Sequence, residues 1–466
     1  MSAGTTVVVG GGIAGLVAAD RLVAAGLDVV VLEASGRLGG NVLTTSFAGR
    51  PLDMGAEALA TGDDTAIELC RALSLDGGLV GPAARGTRVW VRGRLRPLPA
   101  GPMMLPGGAG ELLRSRVLSP RGALRCGLDL VMPSRAPERD VSVGAIVRAR
   151  LGAQALERVV DPLIGGVHAG RCDDLSAEAL APQLIAALAG GRGLIRGLRA
   201  TAPRPDRPPF MTLRGGLGTL TRALAARLAV AGAVVRLSTP ACAVEPAGRH
   251  GLRVRVPDGE ALDAAACVIA APAPAAAPML AGLAPAAAAG LREIRYAAAA
   301  VVALAYPAGE ADSLPAGTGF LTAGDERLVR ACTWSSTKWR HLAGDPAIVK
   351  AFVGRAGSPP PDGTDHDLAV RVHEELTSAL GVRRRPVDAH VERFDVAIPQ
   401  YAVGHVARVD RIQAALPATV ALAGAAYRGA GVGACVRSGQ AGAERILRRL
   451  GVAAHDAPLA TIRSPA

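Results

Sequence analysis

"TTVVVGGGIAGLVAADRLVAAGLDVVVLEASGRLGGNV", Thr5 to Val42, decides how the rest of this chain is read. Thr6 to Val9 is a short β-branched run that ends at Gly10, the pattern of a strand buried on both faces of a parallel sheet. Ile13 to Ala25 carries apolar residues at helical spacing and stops at Gly26, a residue suited to the position after a helix. Asp28 to Leu32 predicts a second buried strand, closed by Glu33. Gly10, Gly12 and Gly15 thus form G-x-G-x-x-G at a strand–turn–helix junction. Small residues there let the backbone approach a pyrophosphate, and the first helical residues, Ile13 and Ala14, offer it free N–H groups at the positive end of the helix dipole. Glu33 lies 18 residues beyond Gly15, where a carboxylate accepts hydrogen bonds from ribose hydroxyls and disfavours a 2′-phosphate. On these residues NAD and FAD both remain open.

The residues that follow choose between them by resemblance. "EASGRLGG", Glu33 to Gly40, resembles the second conserved segment of the FAD-dependent amine oxidase superfamily, where it runs along the diphosphate. The resemblance implies FAD, with Glu33, Ala34, Arg37, Gly39 and Gly40 beside it, joined by Gly55 and Ala56 from "DMGAEAL". At the far end, Thr419 to Ala423 predicts a strand, and "GAAYRGAGVGACVRSGQAGAERIL" from Gly424 becomes helical near Gly431 and runs to about Arg449. In the same superfamily such a helix points its N-terminus at the pyrimidine side of the flavin, which implicates Gly424, Gly431 and Val432. A backbone group near Ala241, in "GAVVRLSTPACAVEP", is expected to meet the adenine.

Further segments narrow the family. "VVDPLIGGVHAGRCDDLSAEAL" (Val159 to Leu180), "FMTLRGGLGTLTRALAARL" (Phe210 to Leu228), "GTGFLTAGDERLVRACTWSSTKW" (Gly317 to Trp339) and "IPQYAVGHVARV" (Ile398 to Val409) resemble, in order, segments of the protoporphyrinogen and coproporphyrinogen oxidases. The last is most similar to the Gram-positive branch, which oxidises coproporphyrinogen III. The resemblance implies six-electron oxidation of a porphyrinogen by FAD with O2 as acceptor and H2O2 as product, in haem biosynthesis, with a ferrochelatase acting downstream. It places Gly166 near the flavin as the catalytic-site residue, its carbonyl facing the macrocycle, and Phe320 and Leu321 in an apolar sandwich around the tetrapyrrole. Many family members carry an arginine after "DMGAEAL" that pairs with a substrate propionate; this chain reads "ATGDDT" there, so His168, Arg171 and Lys338 are the candidates for that task. A flavin amine oxidase, a carotenoid-type desaturase and a non-catalytic porphyrin-binding flavoprotein are the competing readings.

Composition sets outer bounds. The chain has 466 residues, half of them hydrophobic, and a formal net charge of +12. Lys338 and Lys350 are its two lysines, so 50 of its 52 basic residues are arginine. No basic run interleaved with aromatics supports nucleic-acid binding. The seven cysteines are scattered singly without metal-ligand spacing, so they read as buried thiols of a reducing compartment, and no metal site is expected. No apolar run is long enough to span a bilayer. A cytoplasmic protein follows, with at most peripheral membrane contact through the mixed apolar and arginine faces of "GELLRSRVLSPRGALRCGLDLVMP".

The expected fold class is α/β: a discontinuous Rossmann-type FAD-binding domain built from residues 1–90, 208–290 and 396–466, a mainly helical domain over 91–207, and a sheet-containing substrate domain over 291–395.

Overall fold

The computed structural model describes residues 4–98, 115–191, 193–201, 208–248, 251–310 and 314–453. Its centre is a five-stranded parallel sheet in the order Val234–Arg236, Val29–Leu32, Thr6–Val9, Ala266–Ile269, Val420–Leu422. The sheet therefore draws strands from the beginning, the middle and the end of the chain. Each opening strand is a run of β-branched residues because both faces are covered: Val8 and Val31 face one apolar core, Val7 and Leu32 the other.

Helix Ile13–Ala24 packs against the first of these cores. A Cβ on Gly15 would stand 1.9 Å from the Gly10 carbonyl oxygen, so only glycine lets the helix start this close to its strand. The C-terminal helix Val432–Leu450 crosses it at similarly short range, since a Cβ on Gly439 would lie 2.3 Å from the Ala14 carbonyl oxygen. A third helix, Gly218–Val230, is fastened to the first by Arg227, whose Nε and Nη2 donate to the Asp20 carboxylate at 2.6 and 2.5 Å in a buried pair.

A second, seven-stranded sheet runs Asp388–Pro399, Tyr296–Tyr306, Ala347–Val353, Val329–Thr333, Gly319–Thr322, Arg88–Val91, Arg94–Pro97. Its long strands are flanked by helix Asp365–Leu380, which begins at a capping box between Thr364 and Asp367. The sheet is not confined to residues 291–395: the hairpin of Arg88–Val91 and Arg94–Pro97 joins its edge by parallel pairing of Val89 with Leu321, and Asp388–Pro399 closes the other edge beyond residue 395. Pairing across the sheet, not position in the chain, sets those limits.

Helices Val143–Leu151, Pro182–Ala189 and Leu194–Thr201 and the wide helix Leu156–Gly165, whose hydrogen bonds follow the π pattern, gather around another apolar core that includes Val89 and Val91 of the hairpin. The segment expected to offer an amphipathic face is described from residue 115 onward; there Ser119 caps helix Pro120–Gly127 by accepting from Gly122 N at 3.1 Å. Leu124 and Val131 are exposed on it. Among the described residues no helix is long and apolar enough to cross a membrane. Six cysteines are buried as expected, but Cys242 is exposed, because it sits on the loop between the sheet strand Val234–Arg236 and a small antiparallel sheet.

Candidate active site

The glycine-rich loop lies where the sheet and helix Ile13–Ala24 meet. Gly10 adopts φ +107°, a conformation L side chains rarely take, and turns the chain from strand to helix. Gly12 has extended backbone as the residue capping the helix, and a Cβ there would meet nothing within 4 Å, so the face in front of the helix is open. The first turn carries no capping side chain and no acidic residue. Its N–H groups are left for an anion.

Glu33 stands beside this loop, one oxygen accepting Gly11 N at 2.6 Å and the other Ser35 N at 2.8 Å. Ala34 and Arg37 are exposed on the same turn. The next glycines fold back onto the first: Gly39 N donates to Gly11 O at 2.8 Å, and Gly40 approaches the Gly12 Cα. Gly55 is forced by its neighbour, since a Cβ would stand 1.9 Å from the Asn41 carbonyl oxygen, which also accepts Ala56 N at 2.9 Å. Ala241 is buried just beyond Thr239, whose N–H donates to Glu33 O at 2.8 Å.

At the far end, Gly424 (φ +120°) is held by the Ser438 hydroxyl at 2.9 Å, and Gly431 caps the C-terminal helix with extended backbone, open space around it and no side-chain acceptor. Val432 is buried beneath it. Two uncapped helix N-termini with bare glycine entrances, a ribose-type carboxylate and a folded glycine strap form a donor set that fits FAD. Gly10, Gly12, Gly15, Glu33, Gly39, Gly40, Gly55 and Gly431 are the residues that would hold it.

The proposed substrate side begins at Gly166, which follows the π-type helix. A Cβ there would have Leu321 Cδ2 as its nearest neighbour, at 3.9 Å, and its carbonyl receives Ala169 N at a long 3.3 Å. Gly166 and Leu321 are thus brought together. Phe320 is not with them: successive strand residues face opposite sides, and Phe320 turns into the core behind the sheet, 1% exposed and edge-on to Trp90. It belongs to the sheet's packing, not to a tetrapyrrole sandwich.

None of the three cations expected to meet carboxylates is free. Burial pushes His168 down to about 4, so its ring is neutral at pH 7. Arg171 is paired with Asp325. Lys338 is turned inward onto Glu57, and Lys350 reaches the same carboxylate from strand Ala347–Val353 while donating to Asp53 O at 2.6 Å. Both lysines of the chain therefore converge on one glutamate. Burial alone would raise the Glu57 carboxyl; the two ammonium groups hold it well below the usual range. Asp53, buried alongside, is pushed up to about 6 by burial against the opposing pull of Thr44, Lys350 and Leu217 N. The residues standing where an arginine was expected have a local use: Asp63 binds the Thr65 hydroxyl at 2.6 Å and pairs with Arg437 of the C-terminal helix.

The segment "PQYAVGH" ties the two sides of the site together. Gln400 Nε2 donates to His168 O at 2.9 Å, fixing the loop that follows Gly166. The Tyr401 hydroxyl donates to Ala425 O and accepts Gly429 N at 2.8 Å, and His405 Nε2 lies 3.0 Å from Tyr427 O, so both hold the loop that leads into Gly431. Their rings stack at 3.9 Å. Sequence reasoning had the motif but not these roles; it also passed over Glu57 and Lys350, although the scarcity of lysine was a usable signal.

The family described as flavin containing amine oxidoreductase matches residues 13–447. The coproporphyrinogen III oxidase of Propionibacterium freudenreichii is 34% identical over 97% of this chain and 92% of its own, and that of Bacillus subtilis is 30% identical over 93% and 96%. A solved structure from Exiguobacterium, assigned as a protoporphyrinogen oxidase, superposes with a TM-score of 0.87 at 29% identity, over 96% of this chain and all of that one.

Proposed function

The chain belongs to the flavin containing amine oxidoreductase family, and on that premise we propose that it is an FAD-dependent porphyrinogen oxidase converting coproporphyrinogen III to coproporphyrin III. One observation supports the reading above the others. The Gln400–Tyr401–His405 brace ties the Gly166 loop, on the substrate side, to the loop entering the uncapped C-terminal helix, on the cofactor side.

Six electrons and six hydrogens leave a porphyrinogen on aromatisation, four from the bridging carbons and two from nitrogen, in three steps that each remove a hydride from a bridging carbon and release one proton; two of the three protons come from nitrogen and the third from the remaining bridging carbon. FAD, when bound, supplies the two-electron acceptor for each step, and O2 takes the electrons onward, three molecules giving three of H2O2. The chain's own contribution is positioning. Gly166, lacking a side chain, admits the macrocycle edge; Leu321 offers an apolar contact; the first-turn N–H groups after Gly431 favour negative charge at their end of the site. Neutral His168 adds no charge to the loop that follows Gly166. Ala241 and the Gly12 loop take the adenine and diphosphate ends. A downstream ferrochelatase, which would consume the product, belongs to the same proposal.

The direct test is anaerobic mixing of FAD-loaded protein with coproporphyrinogen III or with primary amines. The porphyrinogen should bleach the flavin absorbance within one turnover and the amines should leave it unchanged; bleaching by amines alone would overturn the proposal.

A further inference from the structure

Arg171, Arg330 and Arg355 meet around one carboxylate beside the Gly166–Leu321 contact. Arg355 is the fixed member. Its side chain is 7% exposed, its Nε donates to Gly170 O at 2.9 Å, and its Nη2 binds Asp161 Oδ2 at 2.6 Å. Asp161 is itself locked by Cys172 N at 2.9 Å. The remaining arm of Arg355 pairs with Asp325, which also takes Arg171 and has Arg330 Nη2 at 3.6 Å.

Charge and hydrogen bonding are both unbalanced here. Three guanidinium groups face two carboxylates, and Asp161 is committed to Arg355. Arg330 donates to Gly324 O at 2.6 Å, while its buried Nε has no partner among the described residues. The exposed side of the cluster is the Arg171–Asp325 pair, with 41% and 45% of their side chains accessible. Water screens the Arg171–Asp325 contact on its open side, so an incoming carboxylate can replace Asp325 on Arg171 first and then on the buried Arg355 and Arg330.

The cluster also lies at the site. Arg355 Nη2 is 3.3 Å from where a Gly165 Cβ would stand, Gly166 is the next residue, and Asp325 follows Leu321 by four positions on the turn leaving its strand. A planar fork such as Arg171 suits bidentate binding of a carboxylate.

We propose that Arg171, Arg330 and Arg355 form a carboxylate-binding site for the propionates of the substrate, and that Asp325 occupies this site as a built-in stand-in which a substrate carboxylate displaces. The inference rests on the porphyrinogen reading and deepens it, because a site of this kind favours a tetracarboxylate over a dicarboxylate. No bond is made or broken; one carboxylate replaces another on the same guanidinium groups.

Binding of coproporphyrin III and of protoporphyrin IX to the FAD-loaded full chain, followed by fluorescence quenching, tests it with Arg171→Gln, Arg171→Lys and Asp325→Asn. Arg171→Gln should weaken coproporphyrin III about tenfold, the loss expected for a charge-assisted hydrogen bond, and protoporphyrin IX less. Arg171→Lys should recover part of the loss, and Asp325→Asn should tighten coproporphyrin III about threefold or more by removing the competitor, on the same scale. If Asp325→Asn weakens binding as Arg171→Gln does, or if the variants move both porphyrins equally, Asp325 is a brace and the proposal falls. Turnover separates the two claims. A parent chain that oxidises porphyrinogen with variants of unchanged porphyrin affinity refutes the site alone. A parent that binds coproporphyrin III with the predicted variant pattern but oxidises no porphyrinogen refutes the oxidase and leaves the site standing.

Discussion

Replacing Glu57 by Gln should be among the most damaging single changes in this chain, though Glu57 contacts no expected ligand. Its carboxylate is the shared partner of Lys338 and Lys350, which are 9% and 0% exposed. Glutamine keeps the shape and removes the charge, leaving two buried ammonium groups whose remaining neighbours include the Asp53 carboxyl and carbonyl beside Lys350 and aromatic rings beside both, but no full counter-charge for Lys338 among the described residues. Removing one partner of a buried ion pair costs about 3–5 kcal/mol. For a chain of 466 residues that corresponds to a drop in Tm of roughly 3–5 °C. Lys338→Met leaves a one-to-one Glu57–Lys350 pair and should cost clearly less, and the triple change Lys338→Met, Glu57→Leu, Lys350→Met should recover most of the loss, because an apolar trio of similar volume needs no desolvation. The Glu57 carboxyl is depressed in the fold, so its contribution is present at all pH values above the ordinary carboxylate range and is lost only in stronger acid. Thermal unfolding of the four proteins at pH 7 is the assay. A Glu57→Gln variant that melts with the parent, or a Lys338→Met variant that falls as far, would show that the two ammonium groups do not depend on Glu57.

Other outcomes follow from the same geometry. Gly15→Ala places a methyl 1.9 Å from the Gly10 carbonyl oxygen, so the purified protein should carry little or no FAD, as the flavin absorbance of the folded fraction will show. Tyr401→Phe strands Gly429 N and should cost about 1–3 kcal/mol, read as faster FAD release in a dilution assay. Phe320→Leu should lower Tm with KM unchanged, whereas Leu321→Ala should raise KM for the porphyrinogen about tenfold or more, a pocket loss of about 1–3 kcal/mol, with less effect on Tm. Asp53, raised to about 6 from an ordinary 3.8, stabilises the fold fully below its unfolded value and loses that contribution as pH rises through about 6. The Tm of the parent relative to Asp53→Asn should therefore increase as pH is lowered from 7 to 4, by differential scanning calorimetry.

The strand, glycine turn and helix that open the chain were legible because their residues obey local rules. Gly10, Gly15 and Gly55 are dictated by backbone approach, and a strand, a glycine turn and a helix are contiguous in the chain. The substrate half depends on pairing between distant segments. Nothing in "GFLT" says which face of the strand Phe320 takes; that is set by the parallel register with Arg88–Val91, more than 200 residues earlier. Lys338 and Arg171 looked like free cations because their acidic partners, Glu57 and Asp325, lie 281 and 154 positions away. The "PQYAVGH" segment stood out as a motif, yet its function as a brace required the loops at 168 and 425–429 to be seen beside it.

Aerobic turnover of coproporphyrinogen III by the FAD-loaded protein, with porphyrin fluorescence and H2O2 recorded together, decides whether this chain is a porphyrinogen oxidase. Coproporphyrin III should form with three H2O2 per porphyrin, at a higher kcat/KM than for protoporphyrinogen IX. Fluorescence that grows no faster than in protein-free buffer, with no H2O2, would contradict that function.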